Sequence, residues 1–187
     1  MKMKLMINDI SIDLGIESIK DFILFLSDKS NYQEFYHEMA LSNVSSIRQS
    51  IAIKTELSET TAKLLLTDKD IDVLESIIEN NVAHSIITDD DIEYIIIHAS
   101  QSTIKYLASN IKKFKNIDIP KTYKKLLKLD NPDILLSIAR CSDTPSSILE
   151  ILMKHPDIDI TEEAKNKYSL AHDGLLPCEV ISINYTL

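Results

Sequence analysis

The segment ILLSIARCSDTPSSILEILMKHPD, residues 134–157, holds two short apolar stripes separated by a proline turn. Ile134, Leu135, Ile138 and Ala139 are spaced i, i+1, i+4, i+5, and Ile148, Leu149, Leu152 and Met153 repeat the step. That spacing gathers four apolar side chains on one face of a helix about ten residues long. Asn131-Pro132 precedes the first stripe and Thr144-Pro145 the second. In each pair a side-chain oxygen can accept from orphan backbone N–H groups, while the proline at the first helical position has no N–H to satisfy. Thr144 is therefore expected to cap the helix that follows it. Helices this short are not stable alone in water, so they must pack on one another.

The same step recurs on both sides. Ile47, Ile51 and Lys54 carry it, then Leu64 to Leu66, then Val73, Leu74, Ile77 and Ile78, then Ile104, Leu107, Ala108 and Ile111. Ser58, Asp70, Ser102 and Thr161 are further expected caps, with Glu162 and Glu163 after Thr161 suited to a helix N-terminus. Gly174 and Pro177 read as a helix stop. Thr67-Asp68-Lys69-Asp70-Ile71-Asp72 returns 21 residues later as Thr88-Asp89-Asp90-Asp91-Ile92-Glu93, and Asn131-Pro132-Asp133-Ile134 returns 24 residues later as His155-Pro156-Asp157-Ile158. A drifting period of this size implies stacked helical hairpins, each burying its apolar face on its neighbours. Ile51, Ile77, Ile138, Leu149 and Leu152 fall in phase with that period and are expected in the core.

Residues 134–157 resemble the leucine-rich repeat variant, a short helical relative of HEAT and armadillo repeats. Ile134, Ile138 and Ala139 match its opening, Thr144 and Pro145 its turn, Leu149 and Leu152 its second helix, and Pro156-Asp157 its close. Residues 47–70 are similar to a second copy. There Ile47-Arg48 supplies the family's apolar-Arg pair, and Leu57-Ser58 stands where Thr-Pro is expected. The resemblance implies an all-α, right-handed αα-superhelix, or solenoid, of about five or six short irregular repeats, and it brings no catalytic residues with it. The array is drawn over residues 44–173. It follows an N-terminal segment and helical cap over 1–43, where Phe22, Ile23, Leu26, Tyr32, Phe35, Tyr36 and Met39 form the expected buried side. A C-terminal tail covers 174–187. The alternation in residues 1–14, and that of Val180, Ile181, Ile183 and Tyr185, is compatible with N- and C-terminal strands pairing into a small sheet, or with two unstructured tails.

Composition excludes several functions. The chain has 187 residues and 2 glycines, Gly15 and Gly174, so neither a Walker loop nor a dinucleotide fingerprint can be built. No apolar run is long enough to span a bilayer, and the N-terminal apolar run is broken by Asn8 and Asp9. A cytoplasmic protein is expected, with no membrane, no cofactor and no metal. The 2 cysteines, Cys141 and Cys178, have no metal-ligand spacing.

Candidate sites are sparse. Glu34 and His37 sit at i, i+3 but lack the matching second pair of a carboxylate-bridged metal site. His37, His84, His98, His155 and His172 are all expected at the surface or at caps. Asp89, Asp90, Asp91 and Glu93 lack the spacing of a calcium loop and read as a turn whose acids suit a helix start. Cys141 beside Arg140 lacks an assignable base. Charge is the one anomaly. The chain is -9 overall, yet residues 105–128 carry eight lysines against one acid, Asp118, with Tyr106, Phe114 and Tyr123 interleaved. Lys112, Lys113, Lys115, Lys121, Lys124, Lys125 and Lys128 form the candidate binding patch, expected to be exposed, with Tyr123, Leu126 and Leu127 inward. The expected function is a non-enzymatic protein–protein interaction module whose partner is another protein. One alternative is nucleic-acid binding through residues 105–128, weighed down by the scarcity of arginine. The other is a small acidic inhibitor or immunity-type protein that masks a basic partner.

Overall fold

The computed structural model describes residues 3–7, 10–27 and 30–172. Among them are twelve α-helices and one small sheet. The strands are β1 (Met3–Ile7) and β2 (Ile10–Leu14). The helices are α1 (Ile16–Phe25), α2 (Gln33–Ala40), α3 (Ser45–Ala52), α4 (Glu59–Leu65), α5 (Ile71–Ile78), α6 (Asn81–Ile86), α7 (Asp89–His98), α8 (Gln101–Ser109), α9 (Ile119–Lys128), α10 (Pro132–Arg140), α11 (Ser146–Leu152) and α12 (Ile158–His172). The described residues are mostly helical, with one small strand pair, as the periodicity predicts.

By contact the chain divides into two compact units. The first holds the residues up to Ile87 together with Tyr94–Ser100, and the second holds Thr88–Glu93 together with the chain from Gln101 onward. In the first, α1 packs on α3 and α3 on α5, while α2 packs on α4 and α4 on α6. Alternate helices thus form two rows, with Ile19, Ile23, Tyr36, Ile47, Ile51, Leu65, Leu74 and Ile77 buried. In the second, α8 packs on α10 and α10 on α12, with α11 against α12, and Leu107, Tyr123, Leu126, Ile134, Ile138, Ile148, Leu149 and Leu152 are buried. All five core positions expected from the period are fully buried.

A polar ladder accompanies the α1–α3–α5 row, and a rung of the same kind joins α10 to α8. Lys54, two residues past α3, is buried and donates from Nζ to the Leu26 carbonyl at 2.6 Å, at the end of α1. Asn80, two residues past α5, is also buried. It donates from Nδ2 to the carbonyls of Ala52 (2.9 Å) and Lys54 (2.6 Å), at the end of α3. Its Oδ1 accepts the N–H of Val82 and so opens α6. In the second unit Cys141, just past α10, donates its thiol to the Ser109 carbonyl at the end of α8. The last carbonyls of a helix have no partner within it, and at these three ends a side chain just past the next helix of the row meets one or two carbonyls.

Ser58, Asp70 and Asn131 cap α4, α5 and α10 as expected, accepting from Thr61, from Asp72, and from Asp133 and Ile134. Thr144 does not cap. Helix α11 starts at Ser146 after Pro145, and the buried Thr144 hydroxyl donates back to the Ile138 carbonyl in α10. A buried hydroxyl needs a partner, and the Ile138 carbonyl, which also accepts the Cys141 N–H at 3.2 Å, provides one. Thr161 likewise lies inside α12 and donates to the His155 carbonyl at 2.7 Å, and Ser102 is the second residue of α8. The expected stop at Gly174 lies outside the described residues.

Among the described residues the two N-terminal strands pair with each other. β1 and β2 are antiparallel, with Met3 opposite Leu14 and Ile7 opposite Ile10. Closing so short a loop costs little entropy. Residues 174–187, with their expected strand, lie outside the described residues. In α1 the buried pair is Ile19 and Ile23, facing α3, whereas Phe22 is 41% exposed and meets Phe35 edge-on at 6.0 Å. Phe22 lies about 100° round the helix from Ile23, off the contact stripe.

Candidate functional site

The lysine segment begins with a 3-10 turn, Ile111–Lys113, anchored by buried Ile111 and Phe114. Asn116 forms a parallel bridge to Thr88. Asp118 then caps α9 by accepting the Lys121 N–H at 3.0 Å, while its own N–H donates to Asp89 Oδ1 at 2.9 Å. Tyr123 and Leu126 are buried as expected and Leu127 is half-buried. Burial pushes the Tyr123 hydroxyl well above the usual phenol range, countered in part by the nearby Thr144 hydroxyl.

Lys113, Lys115, Lys121 and Lys128 are exposed; Lys112, Lys124 and Lys125 are half-buried. Several already face acids. Lys121 lies 3.6 Å from Asp89 and Lys112 4.0 Å from Asp143, and Lys125 pairs with Glu93. The Lys125 ammonium holds the Glu93 carboxyl below the usual carboxylate range. The Lys113 ammonium sits 5.7 Å from the Tyr106 ring centre, within cation–π range. Residues 105–128 are therefore less electropositive than their sequence suggests. The acids at the start of α7, which the sequence offers only as a helix-start cluster, are brought against α9 from about 30 residues away.

The first unit holds a groove that sequence reading did not find. Asp68, Lys69, Ile71, Leu74, Tyr94 and His98 line a volume of about 440 Å³. Tyr94 and His98, one turn apart on α7, stack with ring centres 4.2 Å apart, and the Tyr94 hydroxyl donates to the Thr67 and Asp68 carbonyls at 3.4 Å. Ile71 is 45% exposed at the rim. A second hollow, of about 280 Å³, shares Asp68 and Lys69 and adds Leu41, Arg48 and Leu64.

The second hollow is lined by a fork-on-fork ion pair, Arg48 and Asp68, whose Asp68 also lines the first. Arg48 Nε donates to Asp68 Oδ2 at 2.6 Å and Nη2 to Oδ1 at 2.8 Å, while Nη1 reaches the Ser42 carbonyl at 2.8 Å. Desolvation pushes the Asp68 carboxyl up, but the Arg48 hydrogen bonds and the Asp70 N–H outweigh it and hold the group below the usual carboxylate range. Arg48 was legible as the apolar-Arg pair and Asp68 as part of a repeated turn; their pairing across 20 residues was not.

The histidines divide by environment. His84 is buried, contrary to expectation, because it lies on the inward side of α6 beside Ala83 and Ile86. His37 Nδ1 meets the Thr61 hydroxyl at 3.2 Å. His155 Nδ1 accepts the Asp157 N–H at 3.1 Å, which leaves Nε2 to carry the proton toward Asp130 at 3.4 Å. No three His, Cys, Asp or Glu side chains among the described residues are grouped to hold a metal ion. No helix among them is long and apolar enough to cross a membrane. Comparison with known proteins gives no matching family model, no curated relative and no similar solved structure.

Proposed function

We propose that the chain is a non-enzymatic protein-binding module on a helical-repeat scaffold, a right-handed superhelix of leucine-rich-repeat-variant or HEAT-like units. The alternate-helix rows and the polar ladder support the repeat reading. The observation that carries the binding reading is the groove of the first unit. Its lining includes apolar Ile71 and Leu74 and the Tyr94–His98 ring pair, and the Arg48–Asp68 clamp holds the turn beside it. A largely preformed apolar cleft with a few convergent polar groups is the usual form of a recognition site. Repeat scaffolds place function in exposed residues along such surfaces.

A second reading uses the lysine segment to meet an acidic partner, and the exposure of Lys113, Lys115 and Lys128 favours it. For nucleic acid, phosphates would have to displace Asp89, Glu93 and Asp143 from three of the seven lysines, which weakens that alternative. The test is capture of a partner, its reconstitution from purified components, and comparison of two variants. Loss of binding with Ile71→Glu and retention with Lys124→Glu/Lys125→Glu supports the groove; the reverse supports the lysine segment. Salt-dependent binding of a mixed-sequence DNA duplex, abolished by the lysine reversals, would overturn both protein-binding readings.

A further inference from the structure

We infer that the groove of the first unit takes an acidic peptide segment of the partner, a carboxylate flanked by apolar side chains, with Lys69 as the residue that selects it. The inference rests on the reading of that groove as the binding site. Lys69 lines both the groove and the adjoining hollow. The other polar side chains of the two linings, His98 apart, are already engaged. Asp68 accepts from Arg48 through both oxygens, and its Oδ1 also accepts the Asp70 N–H at 2.9 Å. Arg48 donates its remaining Nη1 to the Ser42 carbonyl at 2.8 Å. The Thr67 hydroxyl donates to the Leu64 carbonyl at 3.1 Å, and the Tyr94 hydroxyl to the Thr67 and Asp68 carbonyls at 3.4 Å. The Lys69 ammonium and the His98 ring nitrogens are left, on two exposed residues. Among the described residues neither has an acidic partner.

The rest of the two linings is apolar: Ala40, Leu41, Leu64, Ile71 and Leu74, with Leu41 56% and Ile71 45% exposed. Apolar surface left in water favours an apolar cover, and a segment that covers it also takes water from Lys69. A desolvated ammonium without a counter-charge is costly. The segment therefore has to bring an acceptor, and a carboxylate is the strong one. A lysine or arginine at the same point would set like charges together, which is strongly unfavourable. His98 offers a further ring N–H in the same groove. Asp70 and Asp72 flank Lys69 in sequence, but they stand at the N-terminus of α5, whose dipole offsets them, and neither belongs to either lining. The chain's net charge of -9 opposes an acidic partner at long range, yet at physiological ionic strength it is screened beyond about 8–10 Å. At contact the nearest unpaired charge decides, and here it is a cation.

The experiment pans the full chain against a displayed library of random short peptides. Synthetic copies of the enriched peptides are then measured by fluorescence polarisation, with circular dichroism to check that each variant is folded. Enriched peptides are expected to place Asp or Glu beside Leu, Ile, Met or Phe. Their binding should be lost with Ile71→Glu and with His98→Glu, two exposed positions on different helices. Lys69→Glu should weaken it at least about tenfold, by an amount that shrinks as salt rises. Lys165→Glu, which reverses an exposed lysine of α12, should leave it unchanged. Panning the Lys69→Glu variant should enrich Lys or Arg in place of the acid. Enriched peptides that are basic or uncharged and are lost with Ile71→Glu overturn the inference and leave the groove standing. So does an acidic peptide whose affinity ignores Lys69→Glu. Peptides that bind regardless of Ile71→Glu and His98→Glu, or no enrichment at all, overturn the groove reading and this inference with it.

Discussion

Thr67-Asp68-Lys69-Asp70-Ile71-Asp72 and Thr88-Asp89-Asp90-Asp91-Ile92-Glu93 are nearly the same text, yet they start their helices three residues out of step. In the first copy α4 winds on past its end. Thr67 and Asp68 donate their N–H groups to the carbonyls of Leu64 and Leu65, and the Thr67 hydroxyl also goes to Leu64. Thr67 is thus spent on the old helix, and Asp70 opens the new one by accepting the Asp72 N–H at 3.1 Å. In the second copy α6 ends sharply in extended Ile87. Thr88 is then available to begin α7. Its N–H and its hydroxyl both donate to Asp91 Oδ2 at 2.8 Å, while the Asp91 N–H reaches back to the Thr88 hydroxyl at 3.5 Å, a reciprocal capping arrangement. How the preceding helix ends therefore decides what the same letters do.

The largest consequence is a change of helical phase. Ile71 is the first residue of α5 and stands half-exposed at the groove; Ile92 is the fourth residue of α7 and is fully buried. Ile92→Ala should cost roughly 2–5 kcal/mol, whereas Ile71→Ala should cost less than about 1 kcal/mol, as surface truncations do. Urea unfolding followed by circular dichroism measures both. Equal losses would mean that the two turns share one register after all.

Next come the partners of the two aligned aspartates. Asp68 is held by Arg48, whose side chain is 17% exposed, and Asp89 by Lys121, whose side chain is 51% exposed. Arg48→Ala leaves a mostly buried carboxylate without its counter-ion and should cost roughly 3 kcal/mol. Lys121→Ala removes a solvated pair and should cost less than about 1 kcal/mol. Arg48→Lys should recover only part of the loss, because an ammonium cannot present the two-pronged donor set. A comparable cost for Arg48→Ala and Lys121→Ala would erase the difference between the turns.

The caps separate the copies more gently. Thr88→Ala should lose about 1 kcal/mol and Thr67→Ala only a few tenths, with Asp70→Ala near 1 kcal/mol. The same unfolding curves decide it, and a large loss for Thr67→Ala would show that its hydroxyl opens α5.

Much of this architecture was legible. Ile51, Ile77, Ile138, Leu149 and Leu152 were found by spacing because burial of one helix face is written in the 3.6-residue period. Ser58, Asp70 and Asn131 were found because capping acts within three residues. Thr144 misled because Thr-Pro carries the signature of a helix start whichever carbonyl the hydroxyl chooses, and that choice depends on where α10 ends. The groove was illegible for a related reason. Tyr94 and His98 lie more than twenty residues from Asp68, and nothing local records that α7 returns to the turn between α4 and α5. Lys54 stood in the helical phase of Ile47 and Ile51, but its burial against the end of α1 is a tertiary fact.

The finest distinction is in pH dependence, where Asp68 gives the sign. Its carboxyl is held below the usual carboxylate range in the folded chain, and in the unfolded chain it returns to about 3.9. A group depressed on folding adds stability that is fully present above its unfolded value and is lost as pH falls through its folded value. The Arg48–Asp68 clamp should thus support the first unit at neutral pH and release progressively below about pH 4. Asp68→Asn removes the titration while keeping the shape of the side chain. The variant should be less stable than the wild type at neutral pH, and its unfolding midpoint should fall less steeply with acid, so that the two curves draw together at the acid end. Parallel curves over the whole range would mean that Arg48 gives the carboxylate no net preference for its charged form, and the first turn would then differ from the second in geometry alone.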